Sequence, residues 1–154
     1  MTSPSIRPYD LSDKSACLAI FDSNCPEFLD PSERSDYEEF LEKHAAAKGY
    51  LVIEHSGEIV ASGGIAFYPD DDTGWFCWGL VTRDRHRQGL GRLLTSARIE
   101  LAQKTDGVTR LELDTSQKTK AFYESFGFVT KLVTKNGYGS GLDRYDMELS
   151  LSKT

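Results

Sequence analysis

The sequence predicts an α/β fold, a mixed central sheet flanked by helices, formed as a single domain over residues 1–154. Three observations predict it. β-rich runs recur along the whole chain, helical periodicities fall between them, and one strand–turn–helix–strand run has the order of a parallel β-α-β crossover. The length suits one compact domain with one sizeable core, and no linker, repeat or composition shift divides it.

Ser5-Ile6-Arg7-Pro8 reads as a short strand, followed by a helix that Ser12 can cap and whose Cys17, Ile20 and Phe21 recur at helical spacing. The chain turns at Asn24-Cys25-Pro26. A second helix is signalled by Asp30 as N-cap, Pro31 at the first helical position, Glu33 closing a capping box, and an apolar face of Tyr37, Phe40 and Leu41, with Gly49 ending it. Two runs, Tyr50 to Glu54 and Glu58 to Tyr68, flank His55-Ser56-Gly57 as a hairpin. Pro69 to Gly74 is a polar loop. Trp75 to Val81 is a strand, Gly89 to Lys104 a helix with Leu90, Leu93, Leu94, Ala97 and Leu101 inward, and Val108 to Asp114 an alternating strand. A short helix over Lys118 to Phe126 stops at Gly127, and strands follow at Phe128 to Val133 and Tyr145 to Leu151 with a mobile loop, Asn136 to Gly141, between them.

Composition narrows the function. With 18 Lys+Arg against 24 Asp+Glu the formal charge is −6, the wrong sign for gripping a phosphate backbone, so nucleic acid is excluded as a main partner. Cys17, Cys25 and Cys77 are odd in number and form no CxxC pair, which reads as reduced, buried thiols. His44 and His55 have no neighbouring ligands in sequence, so no metal is expected. The N-terminus lacks a basic and then apolar leader, and the run Ala16 to Phe21 is too short for a bilayer. A soluble, cytoplasmic protein with no membrane partner is expected; the oligomeric state stays open, a homodimer included.

The informative segment is Leu80-Val81-Thr82-Arg83-Asp84-Arg85-His86-Arg87-Gln88-Gly89-Leu90-Gly91-Arg92, a strand running through a basic, glycine-containing turn into a helix. Gly89 and Gly91 allow close backbone approach, and the first N–H groups of the helix are unpaired donors at its positive end. That is an anion site suited to a pyrophosphate, with Arg85, Arg87 and Arg92 either adding attraction or lying as solvated surface. The Rossmann fingerprint fails because Leu94 stands where its third small residue belongs, and no P-loop motif occurs.

The stretch His86 to Gly91 resembles the cofactor signature (R/Q)-x-x-G-x-(G/A) of the GNAT superfamily of N-acetyltransferases, with His86 in place of Arg or Gln. Downstream, Phe122-Tyr123-Glu124-Ser125-Phe126-Gly127-Phe128 resembles the family's F-Y-x-x-x-G-F helix, and the order of elements agrees from Ile6 to Leu151. The resemblance implies a GNAT-like acyl-CoA N-acyltransferase fold and the use of acetyl-CoA, with CoA as product. It further implies that the backbone of Leu80 and Val81 pairs with the pantetheine arm. The N–H groups of Arg87, Gln88, Gly89, Leu90, Gly91 and Arg92 would hold the pyrophosphate, with His86 either beside it or a solvent-exposed residue of no consequence. Ser116 stands where many members carry an Asn facing the cofactor.

By the same resemblance Tyr123 is the acid that protonates the departing thiol, although a tyrosine between two phenylalanines also suits a core. The acceptor would be a primary amine of unnamed identity, attacking the thioester directly in a ternary complex. Glu27 and the run Asp70, Asp71, Asp72 would favour a cationic acceptor if they flank the cleft, and are otherwise a solvated surface. Such an amine, with a lysine-like pKa of about 10.4, is neutral in roughly one molecule in a few thousand at pH 7, so a general base is wanted. Glu27, Glu112, Asp114, a water chain or no base at all remain open. His86, Ser116 and a strand Trp75 to Val81 without a carboxylate also suit a non-catalytic acyl-CoA-binding module.

Overall fold

The computed structural model describes residues 3–47 and 49–152, and the predicted elements appear in the predicted order. Strands β1 (Ser5–Pro8), β2 (Leu51–His55), β3 (Glu58–Tyr68), β4 (Thr73–Val81), β5 (Arg110–Thr115), β6 (Val129–Gly139) and β7 (Leu142–Ser150) form one sheet in the order β1-β2-β3-β4-β5-β7-β6. Every neighbouring pair is antiparallel except β4 and β5, which are parallel as the β-α-β reading requires. The helices are α1 (Lys14–Ser23), α2 (Arg34–Lys43), α3 (Leu90–Gln103) and α4 (Lys120–Glu124).

Side-chain alternation divides the core between two faces. Val52 packs with Cys17, Phe21, Tyr37 and Leu41 of α1 and α2, whereas its neighbour Ile53 packs with Leu90 and Leu94 of α3. Further along, Phe76, Leu111, Leu113 and Met147 pack with Ala102 of α3 and, at their edge, Tyr123 and Phe126. The sheet is therefore covered by α1 and α2 on one side and by α3 and α4 on the other.

Local chemistry departs from the sequence reading at four places. The carboxylate of Asp10, not the hydroxyl of Ser12, caps the first turn by accepting the Ser12 N–H at 2.9 Å, because a 3-10 turn precedes α1. Asp30 does cap the second helix, through the Ser32 N–H, but the helix stops at Lys43, and Gly49 serves a turn beyond it at φ 68°. Leu93 and Leu101 are exposed; the inward stripe of α3 is Leu90, Leu94, Thr95, Arg98 and Ala102, so it includes an arginine. Asn136 to Gly141 is not a long loop between strands but the tip of the β6–β7 hairpin, where Asn136 accepts the Gly141 N–H and Asp143 accepts the Asn136 N–H.

Strands β4 and β5 pair only from Thr73 to Trp75 and then separate. Beyond that point β4 holds to β3 and β5 to β7, and a bulge interrupts β3–β4 between Ser62 and Gly64. In the bulge, Trp78 takes φ 45°, a left-handed conformation costly for a bulky residue. The Tyr50 hydroxyl holds it there, donating to the Trp78 carbonyl at 2.6 Å from a buried cluster of Tyr37, Tyr50 and Ser62. The sheet thus opens into a wedge at its centre.

Candidate functional site

The wedge between β4 and β5 is a cleft of about 820 Å³ that passes from the α3–α4 face to the α1–α2 face. At one end lies the basic turn. Arg87 and Gly89 both adopt positive φ, 65° and 85°, with Gly89 as the N-cap of α3. Alternation of left- and right-handed residues points successive N–H groups the same way, the concave donor arrangement that suits an anion. The N–H groups of Arg85 and His86 close the preceding turn, and the first helical bond is that of Leu93 to Gly89. Between them, the N–H groups of Arg87, Gln88, Gly89, Leu90, Gly91 and Arg92 meet no acceptor among the described residues. Six adjacent free donors at the positive end of a 14-residue helix fit a doubly charged pyrophosphate.

The two glycines serve differently. Gly89 needs its left-handed φ, while a Cβ there would meet nothing within 4 Å. Gly91 has ordinary backbone, and a Cβ on it would touch the Phe122 ring at 3.4 Å on the cleft wall. Arg92 stacks over Phe126 at 5.0 Å and stays exposed beside the groove between α3 and α4.

Two predicted cofactor contacts, those of Val81 and His86, look different in space. The Val81 carbonyl already accepts the Asn24 amide at 2.9 Å and His86 Nε2 at 2.9 Å, which leaves that oxygen no lone pair for a ligand. His86 therefore braces the end of β4, its ring edge-on to Phe28 at 5.0 Å, rather than reaching along the turn. Buried Ser116 accepts the Lys118 N–H at the start of the α4 segment, keeping its own O–H free to donate toward the cleft it lines. Leu80 lines the cleft, and Gln88 is exposed at the turn, its amide on the Asp84 carbonyl.

At the middle of the cleft stands Tyr123. Its ring packs edge-on against Phe122 at 5.1 Å and Phe128 at 5.9 Å, and its hydroxyl has no hydrogen-bond partner among the described residues. That hydroxyl lies 3.4 Å from where a Cβ on Gly79 would be, so it faces the open flank of β4. Both readings of this tyrosine hold in part: the ring belongs to a core and the hydroxyl to the cleft.

The far end of the cleft, on the α1–α2 face, is lined by Phe28, Leu29, Glu33, Trp78, Asp114 and Tyr138. Burial pushes the Glu33 carboxyl above the ordinary glutamate range, with the charges of Asp30 and Asp114 adding to the shift. Asp114 accepts the Tyr138 hydroxyl and lies 3.4 Å from the Arg144 guanidinium. Burial and the neighbouring Asp114 both hold the Tyr138 proton in place. Gly139, at φ 134°, brings the hairpin tip against Asp30, closing this end.

The structure does not bring the other predicted acidic residues here. Glu27 is exposed and paired with Arg83 at 3.3 Å, outside the cleft lining. Asp70, Asp71 and Asp72 precede β4 at the end where it is still paired to β5, and the Asp72 carbonyl accepts the Thr109 N–H there. Glu112 sits in the paired part of β5 beside Arg110. Glu33, Trp78, Tyr138 and Arg98 were not legible as site residues. Only Arg98 carried a signal, a charge on an otherwise apolar i, i+4 stripe.

Structures of similar fold are numerous. Ard1 from Thermoplasma volcanium superimposes with a TM-score of 0.80 at 17% identity, covering 99% of this chain and 100% of that one. The ribosomal-protein-S18-alanine N-acetyltransferase from Escherichia coli gives 0.78 at 22% identity over 99% and 96%. YncA from Salmonella typhimurium, solved with its cofactor acetyl-CoA, gives 0.73 at 21% over 99% and 96%. A search among curated protein sequences returned no significant match. The family profile described as Acetyltransferase (GNAT) family matches residues 17–128, from α1 through the glycine turn to the end of the Tyr123 motif, and the chain belongs to that acetyl-CoA-using family.

Proposed function

We propose that this protein transfers the acetyl group of acetyl-CoA to a primary amine that is cationic in its resting form, by direct attack within a ternary complex. The observation that carries the reading is the row of six free N–H groups from Arg87 to Arg92 opening onto a cleft with the Tyr123 hydroxyl midway and the Glu33 carboxyl beyond it. Acetyl-CoA supplies an activated thioester; the protein supplies placement, charge and proton transfer.

The turn holds the pyrophosphate, and the unpaired flank of β4 lies along the path from there to Tyr123. An amine enters from the α1–α2 face between Phe28, Trp78 and Tyr138, where aromatic walls and two carboxylates favour a cation. Glu33 takes the proton the amine must lose before it attacks. Its pKa, raised by burial, makes it a better base than an exposed glutamate. Asp114 is engaged by Tyr138 and Arg144, so it orients the amine rather than deprotonating it. Tyr123 gives its proton to the departing sulfur.

A panel of cationic, neutral and anionic primary amines, assayed by thiol release from acetyl-CoA, tests this. Cationic amines should be preferred, and Glu33→Gln should lower their turnover by about a hundredfold or more, the range of general base catalysis. A best acceptor that is anionic and indifferent to Glu33→Gln would refute it.

A further inference from the structure

The spacing Leu90, Leu94, Arg98, Ala102 places an arginine on the apolar stripe by which α3 meets the sheet, and Arg98 is 1% exposed there. A buried guanidinium is costly unless an anion and hydrogen bonds compensate it. Here compensation is thin. Nη1 donates to the Gly64 carbonyl at 3.3 Å, the guanidinium lies 3.9 Å over the Phe76 ring, and the Nε–H is buried without an acceptor. No ion pair among the described residues includes it.

The fold makes room for this cation. A Cβ on Gly63 would fall 3.3 Å from Nη1, and one on Gly79 would fall 3.2 Å from Nη2. The same point at Gly79 is 3.4 Å from the Tyr123 hydroxyl, so the guanidinium and the hydroxyl converge on one stretch of β4 beside its bulge. Arg98 lines the cleft at that level. The other titratable groups lining the cleft are Cys77 of β4, Asp114 of β5, Tyr123 of α4, Glu33 before α2 and Tyr138 of the hairpin, with Lys118 before α4 and Arg85, His86, Arg87 and Arg92 at the glycine turn. Leu113 packs on the α3–α4 face, so its neighbour Asp114 points to the opposite face, away from Arg98.

We propose that Arg98 is a fixed positive charge that stabilises the thiolate as it leaves, so that Tyr123 protonates a sulfur already carrying the electron pair of the broken bond. The proposal rests on the acetyl-transfer reading above. As the amine nitrogen bonds to the acetyl carbon, the C–S bond breaks and its electron pair goes to sulfur. Arg98 holds that charge in a low-dielectric site, Tyr123 donates its proton to the sulfur, and the surplus proton of the nitrogen goes to Glu33, which has by then released to solvent the proton it took before the attack. Exchange with solvent restores Tyr123 and Glu33.

The test is a titration of the thiol of CoA bound to the intact protein, followed by thiolate absorbance. Bound CoA should titrate at least about one unit below free CoA, because an unscreened cation favours the thiolate. Arg98→Gln should raise that value by about one unit and lower kcat roughly tenfold to a hundredfold with the amine KM unchanged, while Arg98→Lys, which keeps the charge, retains most of the shift. A wild-type complex in which bound and free CoA titrate together overturns the proposal without recourse to any variant. So does an Arg98→Gln protein whose bound thiol titrates as in wild type. Turnover of a carboxylate-bearing acyl-CoA far above that of acetyl-CoA would also overturn it, making Arg98 a receptor for the acyl chain. Failure of CoA to bind at all would instead sink the cofactor reading on which the proposal stands.

Discussion

Replacing Tyr123 with Phe removes one oxygen atom at the centre of the cleft and little else. The hydroxyl makes no hydrogen bond to a described residue, so no intramolecular bond of about 0.5–1.5 kcal/mol is lost on substitution. The ring keeps its edge contacts with Phe122 at 5.1 Å and Phe128 at 5.9 Å, and with them its share of the core. Thermal stability and acetyl-CoA affinity should therefore stay near wild type. The proton for the leaving sulfur, in contrast, is gone. General acid catalysis is worth about a hundredfold to ten-thousandfold, or roughly 3–5 kcal/mol of barrier, and kcat should fall within that range. Thiol release at saturating substrates measures it, with a pre-steady-state trace to establish that chemistry limits the wild-type rate. A Tyr123→Phe enzyme of wild-type kcat under those conditions would refute the acid assignment. A fall of many degrees in Tm would show instead that the hydroxyl is structural.

Other substitutions should separate backbone from side-chain effects. Gly89→Ala forces a Cβ into a left-handed conformation and should cost about 1 kcal/mol of stability in a thermal melt while weakening acetyl-CoA in calorimetry. Gly91→Ala meets only a ring edge at 3.4 Å and should be mild, whereas Gly91→Val should narrow the cleft and weaken the cofactor without the backbone penalty. Glu33 has a folded-state pKa raised by burial, so the unfolded chain loses this proton first. The cost to stability appears as pH rises through the unfolded value of about 4.3 and levels off above the folded one, and Glu33→Gln should remove that decline from denaturant midpoints measured across pH. The same variant should abolish the rise of kcat/KM with pH that ionisation of Glu33 produces.

Elements carried by local pattern were legible in the sequence: the apolar run Trp75 to Val81, the helical spacing of Gly89 to Lys104 and the alternation of Val108 to Asp114. The glycine turn was legible for the same reason: its donors, its charge and its helix start are all local. What sequence could not give was the opening of β4 from β5, because the bulged conformation of Trp78 is held by the Tyr50 hydroxyl from just before β2, itself bonded to Ser62 of β3. The acceptor end depends on that opening. Glu33 read as part of a helix cap, and only the approach of the Asp30 turn before α2 to the tip of the β6–β7 hairpin brings it into the cleft. Asp70 to Asp72 looked well placed by their closeness in sequence to β4 but lie at its wrong end. Leu93 and Leu101 misled because the buried stripe of α3 runs instead through Thr95, Arg98 and Ala102, and apolar periodicity alone would exclude Arg98 from a core.

The most direct measurement is a paired one on the wild-type protein: calorimetric binding of acetyl-CoA, then mass spectrometry of a reaction with a cationic primary amine. The expected result is binding that Gly89→Ala weakens, followed by N-acetylated amine and free CoA in equal amounts, with no acetyl group on the protein when the amine is omitted. Binding of acetyl-CoA with no product from any amine would contradict the account, leaving a cleft that holds the cofactor without using it.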